Sequence, residues 1–400
     1  IYKTENYGKT WQKITNGIAE EDFTRALRAD PKRKGLLYAG TEKGMYISFD
    51  DGNNWETFQQ NLPIVPITDL AIKNDNLIAA TQGRALWIID DLTPLHQINT
   101  SITKENVVLY KPMDAYNLSG GNGRTSRTAG TNHPGGVTIN YFVKEENKKD
   151  TISLAFFDIN NNLIKKFSTK PNKENKEEIL KVEDGNNVFY WNMMYTGAES
   201  VKGMILWWAS LNGPMALPGT YKVELSVNNK KLHQNFNILR NPTSEVSETE
   251  MKAQFDFIND INAKMTEIHK ALKNVKKVRN QVNLLKKSIK DKKKYKELLD
   301  YADTLVKDIT RIEETLYQTK SKSGQDPLNF PIRLNNKLAH LNSLTRTGNY
   351  APTQQAIDFK NEITKEIDAE LTKLNALFTN GVKELNKKVK QSDINLIQLD

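Results

Sequence analysis

The sequence predicts a multidomain β + α chain, made of short strands up to about residue 240 and of long helices from residue 247 onward. Three observations carry this. An eight-residue pattern occurs twice in the first hundred residues, within surroundings that also repeat. Runs of alternating apolar and polar residues, separated by turn formers, fill 137–240. After Ser247 the apolar residues recur at intervals of three and four.

The repeated pattern is "TENYGKTW" (Thr4 to Trp11) and "SFDDGNNW" (Ser48 to Trp55), whose tryptophans lie 44 positions apart. Each octet is too polar for a buried strand and too poor in helix formers for a helix, and each follows or precedes strand-like residues where a hairpin turn belongs. Hydroxyl and Asp side chains accept bonds from backbone N–H groups in a tight turn, Gly52 permits a positive φ, and Trp55 offers a large ring to bury. A third, decayed copy follows. "LYAGTEKGMYISFDD" at 37–51 aligns without gaps to "LIAATQGRALWIIDD" at 77–91, pairing Thr41 with Thr81 and Asp50 with Asp90, but the glycine and tryptophan are missing after Asp91. A spacing in this range is that of propeller blades, and decay suits a terminal blade. Residues 1–100 therefore predict the last blades of a β-propeller.

Residues 101–136 are expected to be a linker rich in Gly, Ser, Thr and Asn. Its "GGNG" lacks the strand-to-helix setting and the Gly-Lys-Ser/Thr of a phosphate loop. Residues 137–240 hold six short strand candidates, "VTINYFV", "ISLAFFD", "LIKKFS", "VFYWNM", "YKVELSV" and "LHQNFNIL". "LPGTYKVELSV" places Tyr221, Val223, Leu225 and Val227 on one face, as in a late strand of an Ig-like β-sandwich without the cysteine pair.

Beyond "RNPTSEV" the period becomes helical. Ser247 with Glu250 forms a capping box, and Val246 with Met251 forms a staple around it. Apolar stripes run through Ile258, Ile261, Met265, Ile268, Leu272 and Val275; through Leu298, Ala302, Leu305, Ile309, Ile312 and Leu316; and through Ile363, Ile367, Leu371, Leu374, Phe378, Val382 and Leu385. A shorter helix carrying Leu334, Leu338 and Leu341 follows two prolines, so 247–390 predicts an antiparallel helical bundle.

Composition narrows the chemistry. The longest apolar patch, "GMILWWASL" at 203–211, is about a strand long, well short of the roughly 18 residues of a membrane-spanning helix. Zero cysteines exclude disulfides, thiolate metal sites and cysteine nucleophiles, and five histidines without ligand spacing argue against zinc, so neither metal nor cofactor is expected. The net charge of +9 comes from lysines spread among acidic residues, and no nucleic-acid partner is expected. The run "KKSIKDKKKYK" at 286–296 suits a solvated helix end and loop, with an anionic lipid or lipopolysaccharide contact as the alternative. The chain opens on Ile1 without a leader pattern, from which a C-terminal piece of a longer protein is expected.

Asp50, Asp51, Asp90 and Asp91 are the suggestive acidic pairs, but adjacent strand residues point to opposite faces, so neither pair is a ready-made acid and base and no catalytic residue is assigned. Among aromatic clusters, Trp191 and the pair Trp207 and Trp208 are candidate glycan or partner contacts, with core packing as the commoner fate of such rings.

The two octets resemble Asp-boxes, the BNR repeat Ser-x-Asp-x-Gly-x-Thr-Trp of sialidases, xyloglucanase-type glycosidases and sortilin/VPS10-like propellers. Thr4, Asn6, Gly8, Thr10 and Trp11 match with Asn for Asp, and Ser48, Asp50, Gly52 and Trp55 match with Asn54 for Thr. In those families the box is a folding element on the propeller rim. The order of boxes, "GRALWIIDDLTPL", "LPGTYKVEL" and "QDPLNFPIRLNNKLAHL" resembles the C-terminal region of large Bacteroidetes-type BNR-repeat proteins, often labelled glycosyl hydrolase. The resemblance implies a non-catalytic part of a secreted or cell-envelope protein, binding or scaffolding a protein or glycan partner. The alternative it leaves is a BNR-type glycoside hydrolase whose catalytic residues lie upstream.

Overall fold

The computed structural model describes residues 1–118, 134–145, 150–172, 177–289, 293–392 and 394. The "GGNG" stretch and the middle of the lysine run lie outside the described residues.

The N-terminal hundred residues fold as small antiparallel sheets. Strand β1 (Tyr2–Lys3) pairs with β2 (Gln12–Lys13). Strands β3 (Thr24–Ala29), β4 (Leu37–Thr41), β5 (Met45–Ser48) and β6 (Glu56–Thr57) form a four-stranded sheet in chain order, and β7 (Ile67–Lys73), β8 (Asn76–Thr81) and β9 (Leu86–Ile89) form a three-stranded one. The two larger sheets repeat each other in detail. Each carries an irregularity in its first strand, at Thr24/Ala26 and at Ile67/Asp69. Each turns its second hairpin on a threonine whose N–H donates to a carbonyl, Thr41 to Gly44 at 2.8 Å and Thr81 to Ala85 at 3.2 Å. They share one core that includes Tyr38, Ile47, Ile67, Leu70, Leu77 and Leu92.

Helix α1 (Thr93–Gln97) leads out of this region, and His96 binds the buried Asp30 carboxylate at 2.9 Å. The linker expected over 101–136 is partly ordered strand. Residues β10 (Val107–Leu109) join one sheet and β11 (Ala115–Tyr116) the other, because an apolar run such as Val107-Val108-Leu109 gains more by burial than by crossing a surface.

The next strands are β12 (Val137–Val143), β13 (Ile152–Phe157), β14 (Leu163–Ser168), β15 (Glu178–Ile179), β16 (Gly185–Trp191), β17 (Gly219–Val227) and β18 (Lys230–Leu239). They make a three-stranded sheet ordered β10-β12-β16 and a six-stranded sheet ordered β11-β18-β17-β13-β14-β15. Alternation decides which side chains meet: Ile139 and Tyr141 of one sheet and Leu154, Phe156, Val223 and Leu225 of the other share a core.

The C-terminal region is helical: α2 (Glu248–Ser288), α3 (Lys296–Leu316), α4 (Leu334–Thr345), α5 (Gln354–Ala376) and α6 (Val382–Gln391). The capping box is present as expected, with Glu250 N–H donating to Ser247 Oγ at 3.2 Å and Ser247 N–H to Glu250 Oε2 at 2.9 Å. A five-residue π turn, Leu377–Gly381, joins α5 to α6 without breaking the stripe, and Leu374 and Leu385 on either side of it are both buried. One core takes in the three expected stripes apart from Ile258, with Phe378 and Val382 packed against it, together with Leu334, Leu338 and Leu341.

Candidate functional site

The two octets close on the same bonds. In the first, Gly8 N–H donates to Thr4 Oγ1 at 2.9 Å, Thr10 N–H to Asn6 Oδ1 at 2.8 Å, and Asn6 Nδ2 to Thr10 Oγ1 at 2.8 Å. In the second, Gly52 N–H donates to Ser48 Oγ at 2.9 Å, Asn54 N–H to Asp50 Oδ1 at 2.8 Å, and Asn54 Nδ2 to Asp50 Oδ2 at 2.6 Å. The backbone repeats too: Tyr7 and Gly8 have φ of 56° and 85°, Asp51 and Gly52 of 62° and 87°. Glycine at the second of two consecutive left-handed residues adopts the positive φ without the steric cost of a Cβ. Every polar atom the pattern requires is thereby used inside the turn. Burial works against ionisation of Asp50, yet the bonds from Asn54 and Ser48 hold its carboxyl below the ordinary carboxylate value.

The tryptophans differ. Trp55 is 4% exposed, packs with Leu37, Ala39 and Tyr46, and donates from Nε1 to Ile14 O at 3.0 Å. Gly17, with φ of 98°, lies so close that a Cβ there would clash with Trp55 O. Trp55 thus ties the β3–β6 sheet to the segment that follows β2. Trp11 is 60% exposed among the described residues.

The Asp50, Asp51 and Asp91 carboxylates are committed to structural bonds. Asp51 pairs with Lys3. Asp91 accepts from Thr93 N–H at 2.8 Å and from Asn140 Nδ2 at 3.0 Å, linking β9 to β12, and the Asp90 main chain accepts from Asn76. Among the described residues no group of three or more His, Cys, Asp or Glu is placed to hold a metal ion.

The aromatic candidates divide. Trp191 is fully buried and stacks on Phe156 at 4.4 Å between centroids, so it faces the core and offers no contact surface. Its position at the end of β16, where the pleat turns inward, decides this. Trp207 and Trp208 lie instead on the long connection from β16 to β17, with their ring centroids 5.5 Å apart, and Trp208 is 75% exposed. Trp208 also has φ of 50°, which costs a bulky residue about 1–3 kcal/mol.

What holds this strained segment is a set of side chains that sequence reasoning missed. Trp207 N–H donates to Asn336 Oδ1 at 2.6 Å while Asn336 Nδ2 donates back to Trp207 O at 2.9 Å. His340 Nδ1 donates to Trp208 O at 2.6 Å. Asn212 O accepts from Asn262 and Asn342 at 2.8 and 3.2 Å, and Gly213 O accepts from Arg346. Towards the other end, His269 Nδ1 donates to Glu199 O, and Lys273 pairs with the Glu199 carboxylate at 2.7 Å. Met204 and Leu206 meanwhile pack against the helical core. The connection is therefore a strap between the six-stranded sheet and helices α2 and α4. The available signal was four asparagines, at 262, 335, 336 and 342, on apolar helix faces, where an amide must find partners.

Beside the strap lies a cleft of about 670 Å³, lined by Lys165, Glu178, Tyr195, Glu199, Asn212 and Lys273 among others. Its charges are paired, Lys165 with Glu178 at 2.8 Å and Lys273 with Glu199 at 2.7 Å. Burial pushes the Tyr195 phenol up to about 12, so it stays protonated at neutral pH. The cleft offers polar contact but no acid and base poised against each other.

No family model matches the chain, and no curated protein matches it. Among solved structures, it is similar to the extracellular domain of a protein from B. thetaiotaomicron described as a hybrid two-component system, at 10% identity and a TM-score of 0.18. That match covers 58% of this chain and spans 28% of the other, and at this score it carries no argument about fold or function.

Proposed function

We propose that this chain is the non-catalytic C-terminal part of a secreted or cell-envelope BNR/VPS10-like propeller protein that binds or scaffolds a protein or glycan partner. In this reading the sheets of the first hundred residues are terminal propeller blades, the two facing sheets an Ig-like spacer, and the helices an antiparallel bundle strapped to it. The observation that carries it is the pair of matching turn networks, in which Thr4, Asn6, Gly8 and Thr10 are bonded as are Ser48, Asp50, Gly52 and Asn54. Residues that would look functional by composition are spent on turn geometry, as in a folding element. The contact surface is the strained Trp207–Trp208 tip, whose backbone is fixed by Asn336 and His340.

The test is a glycan array and a set of aryl glycosides, each run on the protein and on Trp208→Ala. Binding without turnover, lost in the variant while its melting temperature holds, is expected. Turnover of a glycoside by the purified chain would overturn the non-catalytic reading. Retention of full glycan binding by Trp208→Ala would remove the tip from it.

A further inference from the structure

The net charge of this chain is gathered at one end of the helical region. Described residues 283–289, 293–303 and 379–392 carry nine lysines against four acidic residues, so +5 of the chain's +9 sits there. In sequence these stretches are about eighty residues apart; the fold brings them together. Ile289, Leu298 and Leu385 are buried in the same core, at the end of α2, the start of α3 and within α6. Lys388 Nζ lies 5.5 Å from the Tyr301 ring centroid, and a hollow of about 470 Å³ is lined by Lys293, Lys296 and Lys388. Lys287, Lys293, Lys294, Lys296, Lys383, Lys387 and Lys390 are exposed.

Helix stabilisation explains only part of this. Lysines in the last turns of α2 and α6 complement the negative ends of those helices. Lys293, Lys294 and Lys296 do the reverse, for they stand at the N-terminus of α3, where the helix end is itself positive. Glu297 in the first turn of α3 offsets part of this, and across the three stretches lysine stays in excess of acidic residues.

We propose that this basic end docks on an anionic lipid surface. The patch contains lysine and no arginine. Lysine is a compact charge on a flexible stem that suits a diffuse negative surface, whereas arginine's planar fork suits discrete phosphates and base edges. Exposed Leu284 and half-buried Tyr295 beside the lysines supply the apolar and amphipathic contacts of a membrane interface.

The test is co-sedimentation with vesicles of phosphatidylcholine alone and of phosphatidylcholine mixed with phosphatidylglycerol. The protein is expected to bind only the mixed vesicles and to lose them at high salt. The triple variant Lys293→Gln, Lys294→Gln, Lys296→Gln is expected to bind weaker by on the order of a hundredfold, at about fivefold per lysine. A control with Lys9→Gln, Lys13→Gln and Lys202→Gln has the same net charge and is expected to bind as the parent does. Thermal melts on all three proteins check that the fold is kept. No binding to the mixed vesicles at low salt, equal loss in both variants, or tighter binding to duplex DNA at the same salt would each overturn the proposal.

Discussion

Trp55 and Trp11 occupy the same place in two turns with the same internal bonds, so replacing each by alanine separates what the turn does from what the ring does. Trp55→Ala removes a ring that is 4% exposed and opens a cavity against Leu37, Ala39 and Tyr46. Loss of such a ring costs about 3–5 kcal/mol. It also leaves Ile14 O without the indole donor, which adds about 1 kcal/mol. Trp11→Ala removes a ring that is 60% exposed, and a cost of about 0–1 kcal/mol follows from the smaller burial. Urea titration followed by far-ultraviolet circular dichroism suits both variants, since neither depends on the tryptophan signal lost. The midpoint of the transition reporting the N-terminal sheets should fall sharply for Trp55→Ala and barely move for Trp11→Ala. Equal losses, or a loss below about 1 kcal/mol for Trp55→Ala, would refute the view that the buried ring ties the β3–β6 sheet to the preceding segment.

Other consequences concern the strap. Asn342 is fully buried, donates to Asn212 and Asn262, and accepts from Arg346 Nε at 2.7 Å. Asn342→Leu strands these partners and should cost about 2–5 kcal/mol, read as a lower melting temperature of the helical region. His269 is held neutral chiefly by burial, with Lys273 opposing its protonation further and the Glu199 carbonyl and carboxylate favouring it. Its folded pKa lies below its unfolded value of about 6.5, so the unfolded chain takes up the proton first as pH falls. Stability is therefore full above about pH 6.5 and declines as pH drops from there towards the folded pKa. Thermal melts across that range should show this acid limb, and His269→Gln should flatten it. Asp50→Ala, which removes bonds to an exposed turn, should cost about 1–2 kcal/mol and leave any ligand binding unchanged in an equilibrium titration.

Much of the local structure is legible from residue order. The capping box at Ser247 and Glu250, the three helical stripes and the turn chemistry of both octets depend on neighbours within a few positions, and each is found where periodicity places it. The strands of 107–109 and 115–116 were not legible, because three apolar residues beside a polar stretch do not say whether a distant sheet has an edge to offer. Trp191 and Trp208 illustrate the same limit. Both sit in apolar, aromatic-rich stretches, yet one is fully buried and the other 75% exposed, since burial depends on which face of a remote sheet or helix arrives.

The strap shows the limit most clearly. Its sequence, "TGAESVKGMILWWASLNGPM", has neither strand alternation nor a helical stripe, and its conformation is set by Asn262, Asn336, His340, Asn342 and Arg346, up to 133 residues away. By itself the sequence determined the repeated turns, the change from strand to helix after residue 240, and the absence of cysteine chemistry, because these follow from adjacent side chains and from composition. Only the tertiary structure decided which tryptophan is exposed, where the lysines collect and how the sheets are tied to the helices. Those depend on contacts between segments far apart in the chain, and no local pattern carries that information.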